Sequence, residues 1–154
     1  MKLEEVYNAI PKSTCPPGCG KCCGILYPSL AEIAQIKEWL KERNRPFIEF
    51  HMMVGIDCPY LDKTKGCSIY PVRPYLCRIL GVAVDCQCPT RECKPSKMLN
   101  LAVSSHLYSE VYLKGKEKLR TEKHRAELIK LLKDNGLDPQ KLKADLNRRI
   151  KSPK

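Results

Sequence analysis

Long apolar runs are missing from this chain of 154 residues. No stretch approaches the roughly 18 apolar residues that a membrane span requires, so a membrane-embedded protein is excluded by expectation. The first ten residues, Met1 to Ile10, carry two acids and no apolar run long enough for a secretory leader, which predicts a cytoplasmic protein with reduced thiols. Histidine is scarce, and His51, His106 and His124 are too scattered to arbitrate between metals. The sequence also lacks G-x-S-x-G, a Walker A loop, H-E-x-x-H and G-x-G-x-x-G, so no familiar hydrolase, nucleotide or zinc-protease site is written in it. Seventeen dispersed acids give no paired-carboxylate signal.

What is abundant is cysteine, with ten residues. Five disulfides would suit a secreted scaffold, but clustered thiols in a reducing compartment are metal ligands or catalytic groups rather than bridges. Positive charge is the second excess. The net charge is +11, and residues 99–154 hold 14 Lys and Arg against 7 acids, compared with 14 against 10 in residues 1–98. A basic half attracts polyanions or an acidic protein surface, whereas a solvated helical face rich in Lys and Glu explains the same numbers without a partner.

The fold class expected is mainly α, with an irregular cysteine-rich, metal-organised N-terminal part packed with C-terminal helices. A single domain over 1–154 is predicted, made of a cysteine-cluster part, 1–95, and a basic helical part, 96–154. Ser29-Leu30-Ala31-Glu32 reads as a capping box, followed by Leu30, Ile33, Ile36 and Leu40 at helical spacing. Arg45-Pro46 should end that helix, and a second short one from Pro46 would carry Phe47, Phe50 and Met53. From Cys58 to Cys77 the expectation is loops, a turn at Lys63-Thr64-Lys65-Gly66, and a short strand pair. Further helices are predicted over 95–112, burying Met98, Leu101, Ala102, Leu107 and Val111, and over 117–134, stopping at Asn135-Gly136. Asp138-Pro139 should open a last one, lined by Leu142, Leu146 and Ile150.

The densest signal is Cys15-Pro16-Pro17-Gly18-Cys19-Gly20-Lys21-Cys22-Cys23-Gly24. Thiolates at these spacings converge from one loop, and the glycines permit the turns involved. Adjacent side chains diverge, so Cys22 and Cys23 are expected to face different centres, or one of them to serve as a reactive or metal-exchanging thiolate. Downstream come Cys58-Pro59-Tyr60-Leu61 and then Gly66-Cys67-Ser68-Ile69-Tyr70-Pro71-Val72-Arg73-Pro74-Tyr75-Leu76-Cys77-Arg78. Taken together, over about residues 15–80, these linked motifs resemble the zinc- or iron-chelating cysteine-cluster family, also called YkgJ-like. The resemblance implies Cys15, Cys19, Cys22, Cys23, Cys58, Cys67 and Cys77 as metal ligands, with Arg73, Arg78 and Tyr70 at the family's arginine and tyrosine positions. It names a metal site rather than a reaction. A similar domain occurs in flagellin lysine N-methylases, so methyl transfer is a remote implication. Cys86, Cys88 and Cys93 lie beyond the pattern, and their C-x-C-x4-C spacing offers ligands to a second centre.

All-thiolate sets suit zinc and iron–sulfur clusters alike. Zinc sites normally show paired C-x2-C knuckles, and only Cys19 and Cys22 have that spacing in the first cluster. Cys15, Cys19 and Cys22 instead form C-x3-C-x2-C, the spacing that holds a 4Fe–4S cluster in radical-SAM enzymes, although this chain is too short for their βα barrel. The cofactor expected is therefore one or two 4Fe–4S clusters, with zinc as the alternative. Arg73 and Arg78 would bind toward the cofactor by offsetting thiolate charge and donating hydrogen bonds to sulfur; ordinary ion pairs to Asp57, Asp62 or Asp85 are the plain alternative. The function that follows is redox or cluster-dependent, as a small redox enzyme, a subunit or an electron carrier working with a redox or protein partner. A zinc-stabilised module contacting nucleic acid or an acidic partner through Lys114, Lys116, Lys118, Arg120, Lys123 and Arg125 is the competing reading. The few aromatics near those residues argue against single-strand recognition.

Overall fold

The computed structural model describes residues 1–14, 16, 18–20, 23, 28–50, 58–88, 90–134, 136, 138, 140 and 141. Met1–Lys114 form one compact unit and Gly115–Lys154 a second. The architecture is mainly helical, as the sequence predicts. In the first unit run α1 (Leu3–Asn8), β1 (Ser13–Thr14), α2 (Leu30–Lys41), β2 (Leu61–Asp62), β3 (Gly66–Cys67), a 3-10 turn (Tyr70–Val72), α3 (Tyr75–Ile79), β4 (Lys94–Pro95) and α4 (Leu101–Tyr112). The second holds α5 (Gly115–Asp134).

The capping box forms as read from the sequence. Ser29 Oγ accepts from the Glu32 amide and Glu32 Oε2 accepts from the Ser29 amide at 2.7 Å. At the other end α2 stops at Lys41, before Arg45-Pro46, because Asn44 takes a left-handed φ of 51°. The Arg45 and Asn44 amides then bond back to the Leu40 and Lys41 carbonyls, a Schellman closure. Ile36 and Leu40 are buried, but Leu30 is half-exposed.

Residues 46–50 are not helical. The Tyr60 hydroxyl accepts from the Ile48 amide at 2.7 Å and donates to the Ile48 carbonyl at 2.8 Å, which takes both groups from any local helix. Phe50 stacks on Tyr60 with ring centroids 5.2 Å apart. Met53 lies outside the described residues. Tyr60, with Phe47 and Phe50 packed against it, joins Ile36, Leu40, Ile69 and Val72 in one core.

The helix predicted over 95–112 starts late, at Leu101 with Asn100 as cap. Lys94 and Pro95 are taken by an antiparallel pairing with Thr14 and Ser13. The shorter helix turns Leu107, Val111, Tyr112 and Ser104 inward and leaves Met98, Leu101 and Ala102 at the surface. A second core follows, in which α1, α3 and α4 contribute Val6, Tyr75, Ile79, Leu107, Val111 and Tyr112. Burying one such side chain contributes about 1.5–3 kcal/mol. The cysteine-rich segment thus packs against α4.

In the second unit α5 ends as expected. Gly136 has a φ of +71° and its amide closes on the Lys133 carbonyl at 2.9 Å. Asp138 caps the next turn through the Gln140 amide. Leu142, Leu146 and Ile150 lie outside the described residues. No helix among the described residues is long and apolar enough to cross a membrane.

Candidate metal centre

The first cysteine loop reaches the site by close backbone contact. Gly18 has a φ of +71°, and a β-carbon there would lie 3.0 Å from the Thr64 carbonyl oxygen. A β-carbon on Gly20 would lie 2.7 Å from the Leu61 methyls. Glycine at 18, with its positive φ and backbone contact, is what lets the loop approach the β2–β3 hairpin there, while at Gly20 a side chain would have to displace the Leu61 methyls. The hairpin turn is itself fixed by Asp62, whose carboxylate accepts from the Thr64 amide, the Thr64 hydroxyl and the Lys65 amide at 2.7–2.8 Å.

That docking brings five thiols to one cavity. Cys19, Cys23, Cys58, Cys67 and Cys77 line a space of about 260 Å³ together with Phe50, Ile69, Tyr70, Lys65 and Arg73. Cys58 sits before a turn whose Tyr60 and Leu61 amides hydrogen-bond its sulfur. Cys67 ends β3, and Cys77 is presented by α3. Burial pushes the Cys77 thiol well above its ordinary range, Cys67 and Cys58 push it further, and Arg73 opposes them. Cys58 is raised by burial and by Cys67. Burial and mutual repulsion therefore make these thiols resist ionising together, and a cation among them would offset that cost. Among the described residues, no three Cys, His, Asp or Glu gather closely enough to hold an ion. Cys15 and Cys22 lie outside the described residues, as do His51 and Asp57.

The two arginines part company. Arg73 lines the cavity, its guanidinium 4.0 Å from the Tyr70 ring centroid, and its buried Nε has no hydrogen-bond partner among the described residues. Arg78 clamps backbone instead: Nε donates to the Arg73 carbonyl at 2.8 Å and a terminal nitrogen to the Pro71 carbonyl at 2.7 Å. Its face lies 4.0 Å from the Tyr7 ring centroid. Asp62 is occupied in the turn and Asp85 accepts from Ser104 at 3.0 Å.

The remaining three cysteines do not converge on that cavity, nor all on one another. Cys86 faces a separate space with Tyr75, Asp85, Ser104 and Tyr108. Burial, then Asp85, push its thiol up to about 11. Cys88 and Cys93 pack together against Gly81.

Sequence reading took Glu32 only as a cap partner. It is fully buried and accepts from the Tyr7 hydroxyl at 2.9 Å, the Tyr112 hydroxyl at 3.1 Å, the Ser29 amide and the Tyr75 amide. Four donors on one carboxylate join α1, α2, α3 and α4, two residues before Cys77. A Glu at the third helical position is an ordinary cap signal, so nothing local foretold the longer-range donors.

The chain is 34% identical to an uncharacterised protein of Methanocaldococcus jannaschii over 79 residues, which is 44% of this chain and 43% of that protein. It thus spans less than half the length of the curated relative it matches. No solved structure matches. A family model described as "Putative zinc- or iron-chelating domain" matches residues 14–100, more than half of the chain, and covers every thiol of the cavity; the protein belongs to this CxxCxxCC family.

Proposed function

We propose that the five-thiol cavity houses an iron–sulfur centre, a 4Fe–4S cluster, and that the protein serves a redox or cluster-dependent reaction with a partner protein. The observation that carries this reading is that five cysteines border one space of about 260 Å³ with a guanidinium beside them. Cluster thiolates stand around a shared volume, and a nearby cation offsets their charge. The donor set fits the group: Cys19, Cys23, Cys58, Cys67 and Cys77 would supply thiolates, and the Arg73 Nε, which has no partner among the described residues, would donate toward sulfur. When bound, such a cluster supplies one-electron chemistry at a potential set by charge, hydrogen bonds and exposure. The chain's part is to hold the thiols in a pocket partly closed by Phe50, Ile69 and Tyr70 and to place a cation beside them.

The test is a triple substitution of Cys58, Cys67 and Cys77 by Ser in protein purified without oxygen. Loss of a brown visible spectrum together with iron and sulfide supports the reading. A colourless wild-type protein that holds zinc without sulfide would refute it.

A further inference from the structure

Cys88, Cys93 and Met98 line a second small space, apart from the main cavity. We infer that these three side chains make a site for a soft monovalent metal ion, cuprous copper, held by two thiolates and a thioether. The three line one small space of about 150 Å³ with Gly81, Gln87, Arg91 and Pro95. Two backbone features build it. Gly81 has a φ of +78°, and a β-carbon there would lie 2.7 Å from Cys93 Sγ and 3.3 Å from Cys88 Cβ, so both cysteines rest on the same bare backbone. The Arg91 amide closes a turn onto the Cys88 carbonyl at 3.1 Å, with Arg91 at a φ of 58°, and this turn folds Cys93 back toward Cys88.

Hydrogen-bond donors surround the Cys88 sulfur. Its sulfur lies 3.4 Å from Thr90 Oγ1 and takes backbone hydrogen bonds from Cys93, Thr90 and Glu92. Arg91 beside it offsets the single negative charge that two thiolates leave on a monovalent ion. Cys93 is buried, Cys88 half-buried and Met98 41% exposed, so the ion would meet two fixed ligands and one adaptable one at the mouth.

Ligand type decides the metal. Thiolate with thioether selects cuprous copper over harder divalent ions, and an uncharged thioether adds little for zinc. Cys86, which its spacing groups with these two cysteines, faces the space beside Tyr75 and Asp85 instead. Among the described residues Cys88 and Cys93 have no third thiolate beside them, a set that satisfies low-coordinate copper better than zinc. The inference is independent of which metal fills the main cavity.

The test is a titration with cuprous ion against a colorimetric cuprous chelator, using full-length protein that retains its native metal, under nitrogen. Iron, sulfide and zinc are measured on the same samples. Wild type should hold one chelator-resistant equivalent that the C88S/C93S double variant lacks, with the native metal unchanged in both. Met98→Leu, a substitution at a partly exposed position, should weaken the copper by about tenfold or more while thermal unfolding stays the same. An all-sulfur copper-edge absorption spectrum would support the assignment. Equal copper uptake by wild type and the double variant would overturn it. So would equal affinity in wild type and Met98→Leu, because the pair would then act without the thioether. A preference for zinc at these residues would overturn it as well.

Discussion

Two buried groups of ionisable side chains sit two residues apart in sequence, at Tyr75 and Cys77, and the protein treats them in opposite ways. Around Glu32 the fold supplies four hydrogen-bond donors to one carboxylate, so its polarity is met from within. Around Cys77 it brings four further thiols to a cavity and sets one guanidinium beside them. A buried polar group is normally paired by the protein itself, and one left needing compensation marks a ligand site. On the reading proposed above, the Glu32 cluster is framework and the thiol cavity the receptor.

The largest effect expected from this contrast is on the receptor side. Stripping metal from the folded protein with a strong chelator should destabilise Met1–Lys114 by several kcal/mol, because binding energy at such sites is folding energy. At about 4–8 °C per kcal/mol, the melting temperature by calorimetry should fall by roughly 15 °C or more. An unchanged melting point would place the metal outside the folding account.

Next comes the framework. Glu32→Ala strands two tyrosine hydroxyls and two amides, which should cost about 4 kcal/mol in denaturant unfolding at 25 °C. Glu32→Gln keeps the shape but turns part of one acceptor into a donor, and should cost about half as much. If both variants lose metal without losing stability, the carboxylate belongs to the receptor and the comparison fails.

A smaller effect separates the arginines. Arg73→Gln should leave stability within about 1 kcal/mol and shift the reduction potential of the loaded protein to a more negative value, because a cation beside the reduced centre is gone. Arg78→Gln, by contrast, should lower the melting temperature through its two lost backbone clamps and leave the potential nearly unmoved. Reversal of these outcomes in voltammetry and calorimetry would exchange their roles.

The smallest effect is on the acid limb. Glu110 pairs with the Met1 amino group at 2.6 Å and with Lys114 at 2.7 Å, and hydrogen bonding to Lys114 and the N-terminus holds its carboxyl at about 2. A folded-state value below the unfolded one adds stability above the ordinary carboxylate range and loses it as pH falls toward 2. Glu110→Gln should flatten stability against pH between about 5 and 2, read by circular dichroism. An unaltered acid limb would show that the pair stabilises nothing.

How much of this was legible in the sequence depended on distance along the chain. The α2 cap, the Lys63–Gly66 turn and the Gly136 stop are local chemistry, and each formed where its residues announced it. The helix expected from Pro46 does not form over 46–50, and the one expected from Pro95 starts only at Leu101, for reasons that local pattern cannot carry. Ile48 is claimed by Tyr60, twelve residues on, and Pro95 by Ser13, across most of the first unit. The thiol cluster was legible as composition, but its partition was not. Nothing in C-x-C-x4-C says that Cys86 turns to Tyr75 and Asp85 while Cys88 and Cys93 share Gly81. Met98 carried no signal, since a methionine near a helix start reads as core.

The most direct test of the central claim is the iron and acid-labile sulfide content of wild-type protein prepared without oxygen. Iron and sulfide present in equal amounts, about four of each per chain, with a brown spectrum that bleaches on reduction, are the predicted result. Zinc in their place, or protein that folds fully with no metal at all, would contradict it.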